Sequence, residues 1–204
     1  MVEWKTANNN ELVAFKEWAV TIDSLLKGEL IFVMRKGGIV EETKHFTLQS
    51  PQFYLMPAFE HQKEHLLKPP FQGRVAGTMA NWSPDQPTMK LEGYADVVED
   101  ILISDADALQ AVHGLHIWTE QFAEERLKWK KTLPLHLIVL RVYRLEEPVE
   151  TAMQDAYRGC KSWVTIGEEL PQRKLVPVLS DEQFNEKYEA LKAALANYEQ
   201  EKAK

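Results

Sequence analysis

Positively charged residues beside turns and aromatic side chains are the part of this sequence best suited to chemistry. Arg35 and Lys36 stand between the apolar run 30–34 and the pair Gly37-Gly38. A phosphate-binding loop leads into a helix whose first amides face the anion, but here a strand-like pattern follows the glycines. The glycine pair therefore predicts a hairpin turn, and Arg35 and Lys36 remain candidates for binding an anionic ligand.

The segment YRGCKSW at 157–163 brings aromatic, basic and nucleophilic side chains together within seven residues. Because polar and aromatic clusters on loops often carry function, we expect this segment to contribute to a ligand pocket. Its candidate ligand-binding residues are Tyr157, Arg158, Lys161 and Trp163. Cys160 lies between two cations, which lower the pKa of a thiol and favour a nucleophile. No histidine base is near it in sequence, so a small buried apolar role for Cys160 stays open.

A change of charge separates two further parts of the chain. Residues 90–125 carry one lysine and nine acids, whereas residues 126–174 carry ten lysines or arginines and six acids. Cations interleaved with aromatic residues suit stacked bases and a phosphate backbone, but a solvated helix face anchored by tryptophan explains them equally. The basic region includes Arg126, Lys128, Lys130 and Lys131. The candidate ligand-binding residues in and near it are His116, Trp118, Arg141 and Arg144, with His116 either a titrating group or a packed imidazole.

The stretch HQKEH at 61–65 matches an inverted zinc-protease pattern. On a helix, His61 and His65 would share one face and Glu64 would act as the general base. The segment is barely two turns long before Pro69 and a third ligand is not identifiable, so neither a metal site nor a cofactor is assigned. A metal-dependent hydrolase or nuclease remains an alternative function, and its site residues would be Glu41, Glu42, Glu60 and His61.

Helices and strands predicted from the sequence must position these groups. Their order indicates an α+β fold with a mixed, largely antiparallel sheet of four to five strands flanked by helices. A curl of the sheet toward a barrel is left open. Apolar spacing predicts a first helix from Asn10 to the stop at Gly28. Residues 69–88 hold four prolines and two glycines and predict a long loop. The predicted strands are 30–34, 39–48, 52–56, a stretch within 90–103, and 133–145, and further helices are predicted at 60–67 and 119–129.

We expect one domain over residues 1–178, followed by an amphipathic C-terminal helix over 179–204. Ser180 and Gln183 form a capping box for that helix. An apolar seam recurs along it at spacings of four and three. The seam consists of Phe184, Tyr188, Leu191, Leu195 and Tyr198. It predicts either docking on the parent domain or a homodimer contact.

Bulk properties narrow the classes of function. A chain of 204 residues that is 45% hydrophobic and 27% charged is typical of a soluble globular protein. Its net charge of −7 argues against broad adhesion to nucleic acid or anionic lipid, although a local basic face is compatible with it. Apolar runs are too short to span a bilayer, the start of the chain lacks the features of a secretory signal, and a single cysteine fits a reducing compartment. We therefore expect a cytoplasmic protein with no membrane partner.

Several separated blocks of this sequence resemble the bacterial domain-of-unknown-function family 1802. The blocks are KEWAV (16–20), RKGGIVEE (35–42), EHQ (60–62), LLKP (66–69), HIWTEQFAEERLKW (116–129), PLHLIVLRVYRL (134–145) and YRGCKSW (157–163). The resemblance covers roughly residues 12–170 and leaves the final helix outside. It implies no established activity. Because some relatives carry or neighbour a restriction-type nuclease domain, it implies a role around DNA by association.

The leading functional hypothesis is an accessory binding module for a phosphate-bearing ligand, either nucleic acid or a nucleotide. Two alternatives from other classes stay open. One is the metal-dependent hydrolase or nuclease, and the other is a structural or interaction protein that dimerises through the C-terminal helix.

Overall fold

The computed structural model describes residues 12–36, 48–128, 134–159 and 161–202. The strands in these ranges are β1 (Leu12–Trp18), β2 (Phe32–Arg35), β3 (Gln52–Ala58), β4 (Thr88–Ile103), β5 (Leu135–Ala152), β6 (Trp163–Ile166) and β7 (Leu175–Pro177). The α-helices are α1 (Ala19–Leu26), α2 (Arg74–Met79), α3 (Ala106–Ala111), α4 (Glu120–Lys128) and α5 (Asp181–Lys202). Within these ranges, no helix is long and apolar enough to cross a membrane.

The strands form one mixed sheet in the order β2-β5-β4-β3-β1-β6, with β7 paired to β5. β1 and β3 run parallel and the other described pairs are antiparallel, which confirms the α+β class and the mixed, largely antiparallel sheet. The predicted count of four to five strands is wrong, because β1 was assigned to a helix and the short strands β6 and β7 carry little apolar periodicity. The described strands do not close into a barrel, since β2 and β6 form the two ends of the sheet.

β1 takes the place of the first half of the predicted N-terminal helix. The sequence LVAFKEW is buried along most of its length, because β3 and β6 pair with its two edges and apolar clusters cover both of its faces. A strand buried on both faces reads as a continuous apolar run, without the alternation that distinguishes strand from helix. α1 begins only at Ala19 and is followed by Gly28, whose φ of +70° is a conformation that glycine adopts readily.

The two faces of the sheet carry separate apolar clusters. Successive residues of a strand point to opposite faces. Phe15 and Phe53 therefore pack in the larger cluster, with side chains from α1, α4 and α5. Ala14 and Met56 pack in the smaller cluster on the other face, together with Tyr157 from the loop before β6. Burying each large apolar side chain stabilises the fold by roughly 1.5–3 kcal/mol, and the two clusters together fix the ends of β1 and β3.

Side-chain hydrogen bonds stabilise residues 60–88. A short helix at 60–67 and an irregular loop at 69–88 were predicted there. The predicted helix is wrong: residues Glu64–Leu66 form a single 3₁₀ turn. The predicted loop contains α2 and a second 3₁₀ turn. The Glu64 carboxylate accepts hydrogen bonds from the main-chain N–H groups of Gly73 and, at 3.1 Å, of Val75. These bonds occupy donors at the start of α2 that otherwise lack partners.

α5 packs against the part of the chain that precedes it. The Ser180 N–H donates to Gln183 Oε1 at 2.9 Å and the Gln183 N–H donates to Ser180 Oγ at 3.2 Å, which confirms the capping box. Phe184 and Leu191 are buried in the larger apolar cluster. The Tyr188 hydroxyl donates to a Glu99 oxygen at 2.6 Å, and this bond raises the pKa of Tyr188 to about 12. The apolar seam thus docks within the chain, and the contacts of the described residues do not support a homodimer through α5.

Candidate anion-binding cleft

A cleft of about 460 Å³ opens where the carboxyl ends of β1 and β3 meet. These strands run parallel, with Glu17 opposite Pro57 and Trp18 opposite Ala58, so the residues that follow both strands lie at one edge of the sheet. The end of β2, one side of α4, the loop before β6 and the segment that contains Trp82 and Pro84 also contribute to the lining. Residues that are distant in sequence therefore share one cavity.

Basic side chains outnumber acidic ones in the lining. In the described part of the chain, the cations that line the cleft are Lys16, Arg35, Lys36, Lys63, Arg126, Arg158 and Lys161. The carboxylates there are Glu17, Glu60 and Glu125. The cleft is thus a local basic surface on a chain whose net charge is −7, and such a concentration of one charge attracts counter-ions.

Two buried lysines direct their charge into the cleft region while bonding to main-chain carbonyl groups. Lys16 Nζ donates to the carbonyl oxygens of Tyr157 and, at 2.8 Å, of Gly159. Lys36 Nζ donates to the carbonyl oxygen of Leu127, and burial lowers the pKa of Lys36. A carbonyl group orients an ammonium group but carries no net charge, so these bonds hold the two ammonium groups in place without neutralising them.

Arg35 lies beside a carboxylate that also lines the cleft. Arg35 Nε lies 3.4 Å from Glu17 Oε2, and both side chains are largely buried. Arg35 also donates to the carbonyl oxygen of Lys16, and its guanidinium lies 4.6 Å from the centre of the Phe15 ring. Glu17 also accepts a hydrogen bond from the Trp18 N–H at 2.7 Å. These contacts fix Arg35 and Glu17 as one unit at the end of β1.

Arg126 faces the cleft from α4. Its guanidinium lies 5.1 Å from the centre of the Phe122 ring. It has neither a hydrogen-bond nor a salt-bridge partner among the described residues, and it is partly exposed. Burial and, second, the charge of Arg35 lower the pKa of Arg126, against a smaller opposite effect of Glu17. A guanidinium still keeps its charge at neutral pH, so Arg126 presents to the cavity a positive charge that is not paired with any described carboxylate.

Aromatic pairs line two parts of the cleft. Trp18 and Phe122 have ring centres 5.5 Å apart at 51°. Phe59 and Trp82 stack with ring centres 5.4 Å apart at 23°. All four side chains belong to the lining. Aromatic faces next to cations are the surfaces on which proteins stack nucleobases.

His61 occupies a strained position in the turn after β3. Its φ is +62°, a left-handed value that is uncommon for a residue with a Cβ atom. The neighbouring Gln62 fixes the turn, because its side-chain oxygen accepts from the Val20 N–H at 2.9 Å and its amide donates to the Phe59 carbonyl at 3.2 Å. The exposed imidazole of His61 is thereby held in the cleft lining.

The zinc-protease interpretation of residues 61–65 is not supported by this geometry. The segment does not form the α-helix that would place His61 and His65 on one face. Glu64, the proposed general base, is bonded to the main chain at the start of α2. Within the ranges that the structure describes, no three His, Cys, Asp or Glu side chains group closely enough to hold a metal ion.

Five of the ten residues predicted to bind a ligand line this cleft. They are Arg35, Lys36, Tyr157, Arg158 and Lys161. The structure therefore brings the two predicted basic segments, one after β2 and one before β6, to the same cavity. Arg158 and Lys161 are exposed at its edge, and Arg158 reaches the Pro84 carbonyl at 3.4 Å.

Two other predicted residues lie behind the cleft wall. Trp118 is 1% exposed and stacks on Phe122 with ring centres 5.2 Å apart, so it supports a lining residue and offers no free face itself. His116 is 4% exposed, and its ring stands edge-on to Phe32. Burial, and then the charge of Lys68, lower the pKa of His116 to about 3. Its imidazole is therefore neutral at physiological pH, as the packed-imidazole alternative predicts.

The remaining three predicted residues have contacts elsewhere in the fold. Arg141 pairs with Asp181 at 2.7 Å, at the start of α5. Arg144 donates to the Leu26 carbonyl at 2.7 Å, at the end of α1. Trp163 packs in the larger apolar cluster between the rings of Phe15 and Phe53. These side chains hold elements together and do not line the cleft.

The cleft also contains residues that were not among the predicted ligand-binding set. They include Lys16, Glu17, Trp18, Phe59, Trp82, Phe122 and Arg126. The sequence does hold a signal for these residues, because six of the seven blocks that carry the family resemblance contribute to the lining. These blocks are 16–20, 35–42, 60–62, 66–69, 116–129 and 157–163.

Some predictions fall on residues outside the described ranges. These are the turn at Gly37-Gly38, the strand predicted from residue 39, the acids Glu41 and Glu42, the lysines Lys130 and Lys131, the N-cap Asn10, and Cys160. They remain predictions from sequence.

Comparison with known proteins places the chain in a family. The family model described as domain of unknown function DUF1802 matches residues 14–190, and the chain belongs to that family. The match extends beyond the resemblance read from the sequence and enters α5. No curated protein matches significantly.

Solved structures of ASCH from Zymomonas mobilis share a weak overall similarity with this chain. One crystal structure is 10% identical in sequence, with 88% of this chain and 94% of that chain covered and a TM-score of 0.42. Crystal structures of two mutant forms of the same protein are also 10% identical. For the first mutant, 87% of this chain and 96% of the mutant chain are covered, with a TM-score of 0.43. For the second mutant, 90% of this chain and 98% of the mutant chain are covered, with a TM-score of 0.42.

Proposed function

We propose that this chain, a member of the DUF1802 family, is a binding module for a phosphate-bearing ligand, a nucleotide or a nucleic acid, which it holds in the cleft at the carboxyl ends of β1 and β3. The observation that carries the proposal is the charge of the lining, in which seven described cations face three carboxylates. Arg126 is central to it, because this side chain has no anionic partner among the described residues. An anionic ligand would supply that partner.

The size and the walls of the cleft support a ligand with an aromatic base. Its volume of about 460 Å³ lies in the range of small-molecule pockets, roughly 300–1,000 Å³. The partly exposed Trp18 and the Phe59–Trp82 pair add flat apolar surfaces beside the cations. A phosphate with an attached nucleoside would use both kinds of surface, whereas an inorganic anion would use only the charge.

Neither alternative function gains a specific observation. For the hydrolase, Glu60 and His61 do lie in the lining, but no metal-binding group of three forms in the described ranges. For the dimeric protein, the seam of α5 is already packed within the chain. A cytoplasmic location remains part of the proposal on the basis of the single cysteine.

Fluorescence anisotropy with labelled nucleotides and short single- and double-stranded DNA and RNA tests the proposal. Replacing Arg35 would leave the buried Glu17 unpaired and confuse binding with folding. Arg126→Ala is the better variant, because no carboxylate among the described residues is paired with Arg126. We expect it to weaken binding by about ten-fold or more, the value of one charge-assisted hydrogen bond.

Lys128→Ala is the matched control. Lys128 lies on the same helix and carries the same charge, but it is exposed, pairs with Glu124 and is outside the lining. We expect this variant to bind within about two-fold of the parent protein, since exposed ion pairs contribute little. Absence of binding at low salt, or equal losses in the two variants, would contradict the proposal.

A further inference from the structure

We infer that the floor of the cleft selects a terminal phosphate monoester over an internal phosphodiester, so that the preferred ligand is a nucleotide or a strand end that carries a phosphate. This inference rests on the proposed function and specifies the chemical group that the site recognises. The floor consists of Lys16, Glu17, Arg35, Lys36 and Arg126.

The members of this floor are contiguous. Arg35 lies beside Glu17 and donates to the main chain of Lys16. Lys36 bonds to the carbonyl oxygen of Leu127, the residue that follows Arg126 on α4. The charges of Arg35 and Glu17 both act on Arg126. The end of β1, the end of β2 and α4 thus meet at one point of the cavity.

The excess positive charge of the floor is larger than one unit, so a ligand with more than one negative charge matches it best. Among the described residues of the floor, the cations Arg35, Lys36 and Arg126 stand against the carboxylate of Glu17. Glu17 and Lys36 are each less than 8% exposed. Charges with so little water around them interact strongly. A phosphodiester carries one negative charge, whereas a phosphate monoester carries about 1.5 to 2 at pH 7. The monoester therefore offsets more of the excess positive charge.

The donors of Arg126 fit the same group. A guanidinium has five N–H donors in a planar fork that matches two phosphate oxygens at once. Arg126 has none of these donors engaged with described residues, and its guanidinium is held over the Phe122 ring. A monoester offers three terminal oxygens, whereas a diester within a strand offers two. The extra oxygen leaves one acceptor for a second floor cation after Arg126 has bound.

The remaining lining gives the ligand an orientation. Lys63, Arg158 and Lys161 are exposed, and Phe59 and Trp82 are partly exposed, so these side chains belong to the outer part of the cleft. With the terminal phosphate on the floor, the attached base lies toward the Phe59–Trp82 pair, and any further nucleotides extend outward past the exposed cations.

Isothermal titration calorimetry with matched ligands tests the inference. The strand series is one single-stranded oligonucleotide with a 5′-phosphate, with a 3′-phosphate, or with hydroxyl groups at both ends, plus a longer hydroxyl-ended strand of the same net charge as the phosphorylated ones. The mononucleotide series is a nucleoside 5′-monophosphate, a nucleoside 3′-monophosphate and a 3′,5′-cyclic monophosphate, which is a diester. We expect at least one terminal monoester to bind about ten-fold more tightly than its diester or hydroxyl-ended counterpart.

The variants locate that preference. Arg126→Ala should reduce the monoester advantage to about two-fold or less, and Lys128→Ala should preserve it. Arg126→Lys keeps the charge but loses the planar fork of donors, so we expect it to show an intermediate monoester advantage. This variant replaces Arg126→Ala in the test if the alanine variant melts at a lower temperature than the parent protein.

The outcomes separate this inference from the proposed function. Equal affinity for phosphorylated strands and for hydroxyl-ended strands of the same charge would overturn the selection of a monoester and leave the proposed function intact. Absence of binding by every ligand at low salt would overturn both. A monoester advantage that survives Arg126→Ala would overturn the assignment of the selection to this floor.

Discussion

At the scale of single residues, the buried imidazole of His116 makes a specific prediction about pH and stability. Its pKa of about 3 in the folded protein lies below the ordinary value of 6.5 because burial disfavours the charged ring. The unfolded chain therefore binds more protons, and stability falls as the pH drops from above 6.5 toward 3. Because of His116, we expect the unfolding free energy to be about 2 kcal/mol lower at pH 5 than at pH 7.5, as measured by urea denaturation.

Two variants isolate this contribution. His116→Phe removes the titrating ring while keeping an apolar ring of similar size beside Phe32, so most of the pH dependence should disappear. His113→Asn controls for a neighbour whose pKa is also lowered by burial, and it should keep most of the dependence. A His116→Phe protein with the pH profile of the parent would show that another group is responsible.

The candidate site could be predicted from sequence only where residue type and local turn coincide. Arg35 and Lys36 were predicted because they lie where an apolar run ends, and Arg158 and Lys161 because they belong to a segment rich in polar and aromatic residues. All four line the cleft. The sequence does not tell whether a tryptophan such as Trp118 exposes a ring face to solvent or packs behind a residue that lines the cleft. Partners remote in sequence also determine whether an arginine is free, as the Arg141–Asp181 pair illustrates.

At the scale of elements, the capping box of α5 predicts a measurable loss of stability. Ser180→Ala removes the oxygen that accepts the Gln183 N–H and leaves that donor without its side-chain partner. We expect the unfolding free energy to fall by about 1 kcal/mol, the usual effect of losing such a cap, as measured by urea or thermal denaturation. Ser180→Thr keeps the hydroxyl acceptor, so its unfolding free energy should fall by less. An alanine variant as stable as the parent would mean that packing alone holds the start of α5.

The elements that were predicted correctly have strong local signals, and those that were missed depend on their neighbours. β4, β5, α4 and α5 have long periodic or apolar runs, and the structure contains each near its predicted position. β1 was missed because burial on both faces removes the alternation of a strand. Since β1 supplies one end of the cleft, its misassignment also hid Lys16, Glu17 and Trp18 as site residues.

At the scale of the whole molecule, the position of α5 predicts a monomer in solution. The apolar seam that would serve a dimer is in contact with the chain's own core, including the buried Phe184 and Leu191. Light scattering after size exclusion at micromolar concentration should therefore give the mass of one chain. Removing α5 should expose the apolar surface beneath it, lower the melting temperature and promote aggregation. A dimeric parent that becomes a stable monomer without α5 would contradict this assignment.

The distribution of charge over the whole molecule predicts how binding depends on the length of a nucleic acid. The chain carries 24 lysines and arginines and 31 acids, whereas the described lining carries seven cations and three acids, so the acidic excess lies outside the cleft. A strand that extends beyond the cleft gains little there, because acidic surface repels phosphate. Affinity should rise over the first two or three nucleotides of a single strand and then level off.

Salt titration of the same strands gives an independent measure of the number of phosphates bound. Each phosphate neutralised on a single strand contributes about −0.7 to the slope of log K against log salt, so two contacts predict a slope of about −1.4 that does not grow with strand length. Anisotropy measured over a series of strand lengths at low and moderate salt tests both expectations. A slope that steepens steadily with length would require a continuous basic track across the surface, and the ligand would then be a long nucleic acid whose contacts extend well past the floor of the cleft.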